Sequence, residues 1–243
     1  MSNPPVLPLY AVTPITLKVS VVIPCFNERN TIDELIDRVQ AVPLDKEVIV
    51  VDDFSTDGTR EILQKRAQER GDIILKLRDR NGGKGSAVQD GLKSAQGDVV
   101  IIQDADLEYD PADYPILLRP IQTGRARVVY GSRFIGEHRA MYFWHSLGNQ
   151  FLTLLCNALF DTTLTDMETC YKVFTIDNAR RLRLREPRWG FDPEITARLL
   201  KMGNRIYEVP ISYAGREFNE GKKISWHDGF VVLAALLRYR FLS

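Results

Sequence analysis

The chain has 243 residues, 44% hydrophobic and 26% charged, which suits one large globular domain or two small ones. Its 32 basic and 32 acidic residues cancel, so the basic excess of a broad nucleic-acid surface is excluded. Cys25, Cys156 and Cys170 are an odd number without metal-ligand spacing, and read as thiols in a reducing, cytoplasmic setting, not as a disulfide frame.

Residues 1–17 carry four prolines and no charged leader pattern, so they read as an extended arm. From residue 18 strand and helix signals alternate. KVSVVIP (18–24) is a β-branched run, and TIDELIDRVQ (31–40) has helical spacing opened by a Thr31–Glu34 capping box. KEVIVVDD (46–53) is a second strand, GTREILQKRAQER (58–70) a helix and IILKL (73–77) a short strand. The turn NGGKG (81–85) leads into a helix, and GDVVIIQDAD (97–106) is the next strand. PADYPILLRPI is helical and ARVVYGSRF (126–134) a strand. Strands separated by such helices imply βαβ units and a mostly parallel sheet flanked by helices, in one domain over 18–225. Ligands bind beyond the C-terminal strand ends in such sheets, where PCFNE, DDFSTDG and DADLE stand.

The second half is less regular. Residues 141–160 fall short of the roughly 18–20 apolar residues of a spanning helix, being interrupted by His145, Asn149, Gln150 and Asn157. LTDMETCYKVF (164–174), a helix near 192–202, the strand-like RIYEVPISY (205–213) and the polar GREFNEGKKISW follow. Residues 226–243 form an amphipathic C-terminal helix, with Asp228 at its start and Arg238 and Arg240 in its last turns.

Asp104, Asp106 and Glu108 recur at every second position. If the strand stays extended, they share a face and repel, so a positive group must sit among them. It is either a Lys or Arg partner, with the acids also capping the helix at 111, or a hard cation, Mg²⁺ or Mn²⁺, completed by substrate phosphates. Asp52 at the neighbouring strand end suits a ribose hydroxyl or a base N–H. Asp57 reads as a helix cap. Lys84 at a helix start favours an anion, although NGGKGSA lacks the spacing of a phosphate loop. His138, His145 and His227 show no ligand spacing, and Cys25 has no partner base.

Together VVIPCFNE, VIVVDDFSTDGT, NGGKGSAV, QDADLEYDP, YGSRF, TDMETCYKVF and EVPISYAGREFNEGKK resemble the family 2 glycosyltransferases of the Rossmann-like GT-A fold, and among them the polyprenol-phosphate mannose and glucose synthases. The resemblance implies a nucleotide-sugar pocket lined by Pro24, Phe26, Glu28, Val50, Asp52, Lys84 and the segment Asp104–Ala105–Asp106. It implies a metal at Asp104, Asp106 and Glu108, where some members carry Gln in place of Glu108. Arg133 matches a phosphate-binding arginine, and Arg216 and Lys222 match a pair that closes over the diphosphate. The catalytic group is then Asp106 and Arg133, with Asp166 beside them.

The implied reaction is an inverting, metal-dependent transfer of a hexose from GDP or UDP to a polyprenyl phosphate, whose anionic phosphate needs no strong base. A saccharide hydroxyl acceptor would need one, with Asp166 or Glu168 as candidates. Arg139 and Lys172 could meet the acceptor phosphate or be solvated surface charges. A non-catalytic nucleotide-sugar-binding subunit is a third possibility, disfavoured by the full set of acids and cations. A lipid acceptor implies peripheral attachment to the cytoplasmic face of a membrane, through the C-terminal helix and a membrane partner protein, with residues 214–225 as a mobile lid.

Overall fold

The computed structural model describes residues 16–188, 190–215 and 226–242. The N-terminal arm up to residue 15, the Arg216–Lys222 pair and most of the expected lid therefore lie outside the described residues. Seven strands make one sheet: β1 (Val19–Cys25), β2 (Lys46–Asp52), β3 (Ile74–Leu77), β4 (Val99–Ile102), β5 (Val128–Ser132), β6 (Lys172–Thr175) and β7 (Tyr207–Pro210). Their order is β3-β2-β1-β4-β6-β5-β7. β1 pairs in parallel with β2 and β4, β2 with β3, and β5 with β7, while β6 runs antiparallel between β4 and β5.

The helices are α1 (Ile32–Ala41), α2 (Thr59–Glu69), α3 (Lys84–Ser94), α4 (Tyr114–Gln122), α5 (Phe143–Phe160), α6 (Ile176–Arg181), α7 (Phe191–Lys201) and α8 (Trp226–Phe241). All seven residues of β1 are buried, as a strand covered on both faces requires. Each fully buried Val or Ile there contributes about 1.5–3 kcal/mol through area removed from water. Because β1 has β2 on one side and β4 on the other, the chain reverses its winding there, and a crevice opens beyond the C-terminal ends of these strands.

α8 is part of this body. Val232 and Leu236 pack with Cys156, Leu164 and Met167, and Ala235 and Tyr239 pack with Ala197. Two local expectations change. The Thr31–Glu34 capping box does not form, because the Thr31 hydroxyl bonds Glu28 and the Ala105 carbonyl instead. The strand expected to reach residue 106 ends at Ile102. There Gln103 leaves the ladder: its Oε1 accepts the Tyr114 and Tyr171 hydroxyls, and its Nε2 donates to the Asp104 and Tyr109 carbonyls. Leu107 then turns the chain with a φ of 63°, so the three acids are not presented along one extended face.

Candidate active site

The loops after β1 and β2 are locked together. Asn27 takes a left-handed φ of 56°, donates its backbone N–H to Ser55 Oγ at 2.9 Å and accepts the Thr56 N–H on Oδ1 at 2.9 Å. The Glu28 N–H donates to Thr59 Oγ1, and the Glu28 carboxylate accepts the Thr31 hydroxyl. Asp57 accepts the Thr59 and Arg29 backbone N–H groups and so ties the two loops together, while Gly58 takes the N-cap position of α2, without a side-chain cap.

Among the described residues, three of the four left-handed residues other than glycine, Asn27, Phe54 and Leu107, lie in the loops after β1, β2 and β4. Such backbone costs on the order of 1–3 kcal/mol each and concentrates at functional sites, and for a bulky residue like Phe54 it is a true outlier. Phe54 is 41% exposed and Phe26 36%. Two aromatic side chains are therefore open to solvent at the ends of adjacent parallel strands, beside buried Pro24.

Asp52 is fully buried, accepting Arg60 Nε at 2.7 Å and the Ser55 N–H. The Arg60 guanidinium lies 5.3 Å from the centre of the Phe54 ring. Arg60 thus covers Asp52, which has no exposed surface. Val50 is fully buried inside β2, paired with Ile23 and Leu75, so its side chain is core and does not line the crevice. Asp53 holds the glycine turn by accepting the Gly82 and Gly83 N–H groups at 2.9 and 2.6 Å and the Arg78 guanidinium. A Cβ on Gly85 would lie 2.1 Å from the Glu186 carbonyl, so this glycine is required by close packing.

That turn delivers Lys84 to Asp104, with Nζ and Oδ1 2.8 Å apart and side chains 24% and 22% exposed. Burial works against the Lys84 ammonium, yet Asp104 outweighs it and holds the pKa well above the ordinary value. Burial likewise opposes ionisation of Asp104, and Lys84 reverses it, leaving that carboxyl below its usual range. Lys84 is thus the positive partner that the run of acids called for.

Asp106 is partly exposed and accepts the Glu108 N–H at 3.3 Å. Glu108 points elsewhere: its carboxylate accepts the Tyr213 hydroxyl at 2.7 Å. Among the described residues no three His, Cys, Asp or Glu side chains converge on one point. A Mg²⁺ or Mn²⁺ ion held by one or two carboxylates and by substrate phosphates needs no such triad. Asp106 and Asp104 are hard oxygen donors that fit that arrangement.

Just after β5, Arg133 is fixed by Asp166. Nε and Nη2 donate to the two carboxylate oxygens at 2.7 and 2.8 Å, and the Arg133 N–H adds a third bond at 3.1 Å. Asp166 is fully buried. Burial opposes the guanidinium, but Asp166 more than compensates and its pKa lies well above the ordinary value. The same guanidinium lies 5.3 Å from the centre of the Tyr213 ring. Glu108, Tyr213, Arg133 and Asp166 thus form a continuous chain. Asp166, one of the two candidate bases for a hydroxyl acceptor, is thus engaged by Arg133 through three hydrogen bonds.

Lys172 is fully buried and donates to Asp192 at 2.6 Å and to the Thr169 carbonyl, so it is not a surface charge. Arg60, Phe54, Gln103 and Tyr213 were missed from sequence. The signal for Phe54 and Arg60 was an aromatic beside two aspartates and a basic residue at the start of the following helix.

The family model described as Glycosyl transferase family 2 matches residues 20–189. An undecaprenyl-phosphate mannosyltransferase of Micrococcus luteus is 29% identical over 220 residues, covering 85% of this chain and 87% of that one. A dolichyl-phosphate beta-glucosyltransferase of Trichomonas vaginalis is 27% identical over 218 residues, covering 82% and 67%. The undecaprenyl-phosphate 4-deoxy-4-formamido-L-arabinose transferase of Salmonella paratyphi A is 31% identical over 213 residues, covering 84% and 62%. Glucosyl-3-phosphoglycerate synthase from Mycobacterium tuberculosis, solved with Mn²⁺, UDP and glucosyl-3-phosphoglycerate, superposes with a TM-score of 0.72 at 22% identity, covering 93% of this chain and 81% of that one. The same enzyme with Mg²⁺ and UDP gives 0.71 at 22% identity, covering 93% and 80%. These solved structures share the fold, and the family match settles the class: the chain belongs to glycosyl transferase family 2 and is a glycosyltransferase.

Proposed function

We propose that the protein transfers a hexose from a nucleoside diphosphate sugar of the GDP-mannose or UDP-glucose type to a polyprenyl phosphate, with inversion at the anomeric carbon. The observation that carries this is the placing of Arg133. It is held cationic by a buried carboxylate at the C-terminal end of β5, on the same edge of the sheet as the Lys84–Asp104 pair after β4, and the Tyr213 ring links it to Glu108. The similar proteins named for undecaprenyl-phosphate and dolichyl-phosphate support the acceptor class.

In this reading Phe26 and Phe54 take the base, and Asp52, once Arg60 moves, meets the ribose. Asp104 and Asp106 would hold a Mg²⁺ or Mn²⁺ ion, which supplies positive charge against the diphosphate. Arg133 stabilises negative charge as the diphosphate leaves, and Arg216 and Lys222 would add to it. The acceptor phosphate is already anionic, so no carboxylate base is required, which accords with Asp166 being committed to Arg133.

A lipid acceptor brings the enzyme to a membrane surface. Among the described residues no helix is long and apolar enough to span a bilayer. Helix α5 has no charged residue in 18, and Phe143, Trp144, Phe151 and Leu154 are 60–77% exposed. Its Asn149 reaches toward Asp166, so an interface along α5 adjoins the Arg133 clamp. The test is transfer from GDP-mannose and UDP-glucose to a short-chain polyprenyl phosphate, with and without Mn²⁺. Asp106→Ala is expected to lose metal-dependent turnover. Undiminished turnover in that variant rejects the metal assignment, and transfer to a free sugar but never to the phosphate rejects the acceptor.

A further inference from the structure

Glu168 lies in the loop between α5 and β6, two residues beyond the clamp carboxylate Asp166. Its Oε1 is buried without a hydrogen-bond partner, as is the neighbouring Thr169 Oγ1. Buried carboxyl oxygens are rarely left so, since the desolvation goes uncompensated. The nearby cations cannot make up the loss. Arg133 is committed to Asp166 on one side, and Lys172 of β6 to Asp192 of α7 on the other. Among the described residues two cations thus face three carboxylates, and Glu168 is the one left over.

We infer that Glu168 is held as a neutral acid and donates its O–H to the acceptor's phosphate, an inference that rests on the proposed acceptor. An ionised carboxylate at this place would repel an incoming phosphate, whereas a protonated one adds a charge-assisted hydrogen bond to it. The Thr169 hydroxyl beside it is a second donor of the same kind. Burial first, and then Asp192, push the Glu168 pKa up to about 8 against the pull of Lys172 and Arg133, so the acid form persists at neutral pH. The groups facing it are Arg133 after β5, Asp166 on its own loop, Cys156 on α5, Lys172 on β6 and Asp192 on α7. Of these the Cys156 thiol is pushed by burial to about 12, well clear of the window in which Glu168 titrates.

The experiment follows the acceptor dependence of the full-length enzyme across pH 6–10, with a short-chain polyprenyl phosphate as acceptor. For the wild type, kcat/KM for the acceptor is expected to fall about tenfold per pH unit above about 8, the slope of a single ionisation. Glu168→Gln keeps an N–H donor, so it is expected to stay within about threefold at pH 7 and to lose the alkaline fall. Glu168→Ala should raise the acceptor KM by about 10- to 100-fold with little change in kcat, the size of one hydrogen bond to a charged group. An alkaline fall that persists in Glu168→Gln overturns the proposal. So does a wild-type rate that rises through pH 8 and vanishes in Glu168→Gln, which would make Glu168 a general base toward a hydroxyl.

Infrared difference spectra of wild type against Glu168→Gln read the proton directly. A protonated-carboxyl band is expected below pH 8 and should shift when inorganic phosphate is added. Its absence at pH 6.5 overturns the proposal. If the wild type fails to use any polyprenyl phosphate, the functional reading fails, while the band and its response to inorganic phosphate still decide the state of Glu168.

Discussion

Asp166 and Arg133 show how little one residue means without its partner. A buried carboxylate carrying three hydrogen bonds from a single arginine is matched charge for charge. Removing one member leaves the other uncompensated, which costs about 3–5 kcal/mol in buried pairs. Asp166→Ala is therefore expected to lower the unfolding free energy by about that amount in urea titrations, with loss of turnover at every pH. A variant of wild-type stability whose activity fails only at low pH would return Asp166 to the role of a base.

Asp104, Asp106 and Arg133 could be singled out in the sequence because each follows an apolar run that must end at the ligand edge, and Lys84 because a glycine turn sets it at a helix start. It could not show that Glu108 turns to Tyr213, that Val50 is core or that Arg60 covers Asp52. Those facts depend on side-chain direction and on the left-handed backbone at Phe54 and Leu107, which no periodicity encodes.

At the scale of elements, the strands and helices of the first half were readable from alternation. Strand β4 came out short because Gln103 finds its partners in tyrosine hydroxyls distant in sequence, beyond the reach of a local pattern. The two amphipathic helices differ in how much of their apolar surface they bury. The C-terminal helix, expected as the anchor, buries Val232, Ala235, Leu236 and Tyr239, and Arg238 pairs with Glu186. α5 buries only Thr153 and Cys156 completely and shows its aromatics to solvent. An exposed aromatic and aliphatic face without charge suits the interfacial zone of a bilayer. Replacing Phe143, Trp144 and Phe151 by serine is expected to abolish flotation with anionic liposomes while leaving the melting temperature within a few degrees. Truncation before α8 should instead unfold the domain. Flotation that survives the triple replacement, but is lost when exposed Phe230 and Phe241 are changed, would restore the C-terminal helix as anchor.

At the scale of the molecule, these carboxyl groups set the pH range of the fold. Asp37 is held below its usual pKa by the hydrogen bond from Arg66, and Asp57 by its bonds to Thr59, which outweigh burial. Their stabilisation is present above the unfolded value near 3.8 and disappears as pH falls through the lower folded value. Glu168 has the opposite sign. Its folded pKa, about 8, lies above the ordinary 4.5, so folding favours the protonated form. Its contribution is complete below pH 4.5 and declines as pH rises until it is lost above about 8. Glu168→Gln cannot ionise and so escapes that decline. The melting temperature of the variant relative to wild type is therefore expected to rise steadily from pH 5 to pH 8 and to level off beyond it. Asp113 and Glu208, also raised chiefly by burial, are common to both proteins and cancel in the difference. A difference that stays flat across this range would mean that Glu168 is ionised throughout, and that some other group supplies the charge balance between the Arg133 and Lys172 pairs.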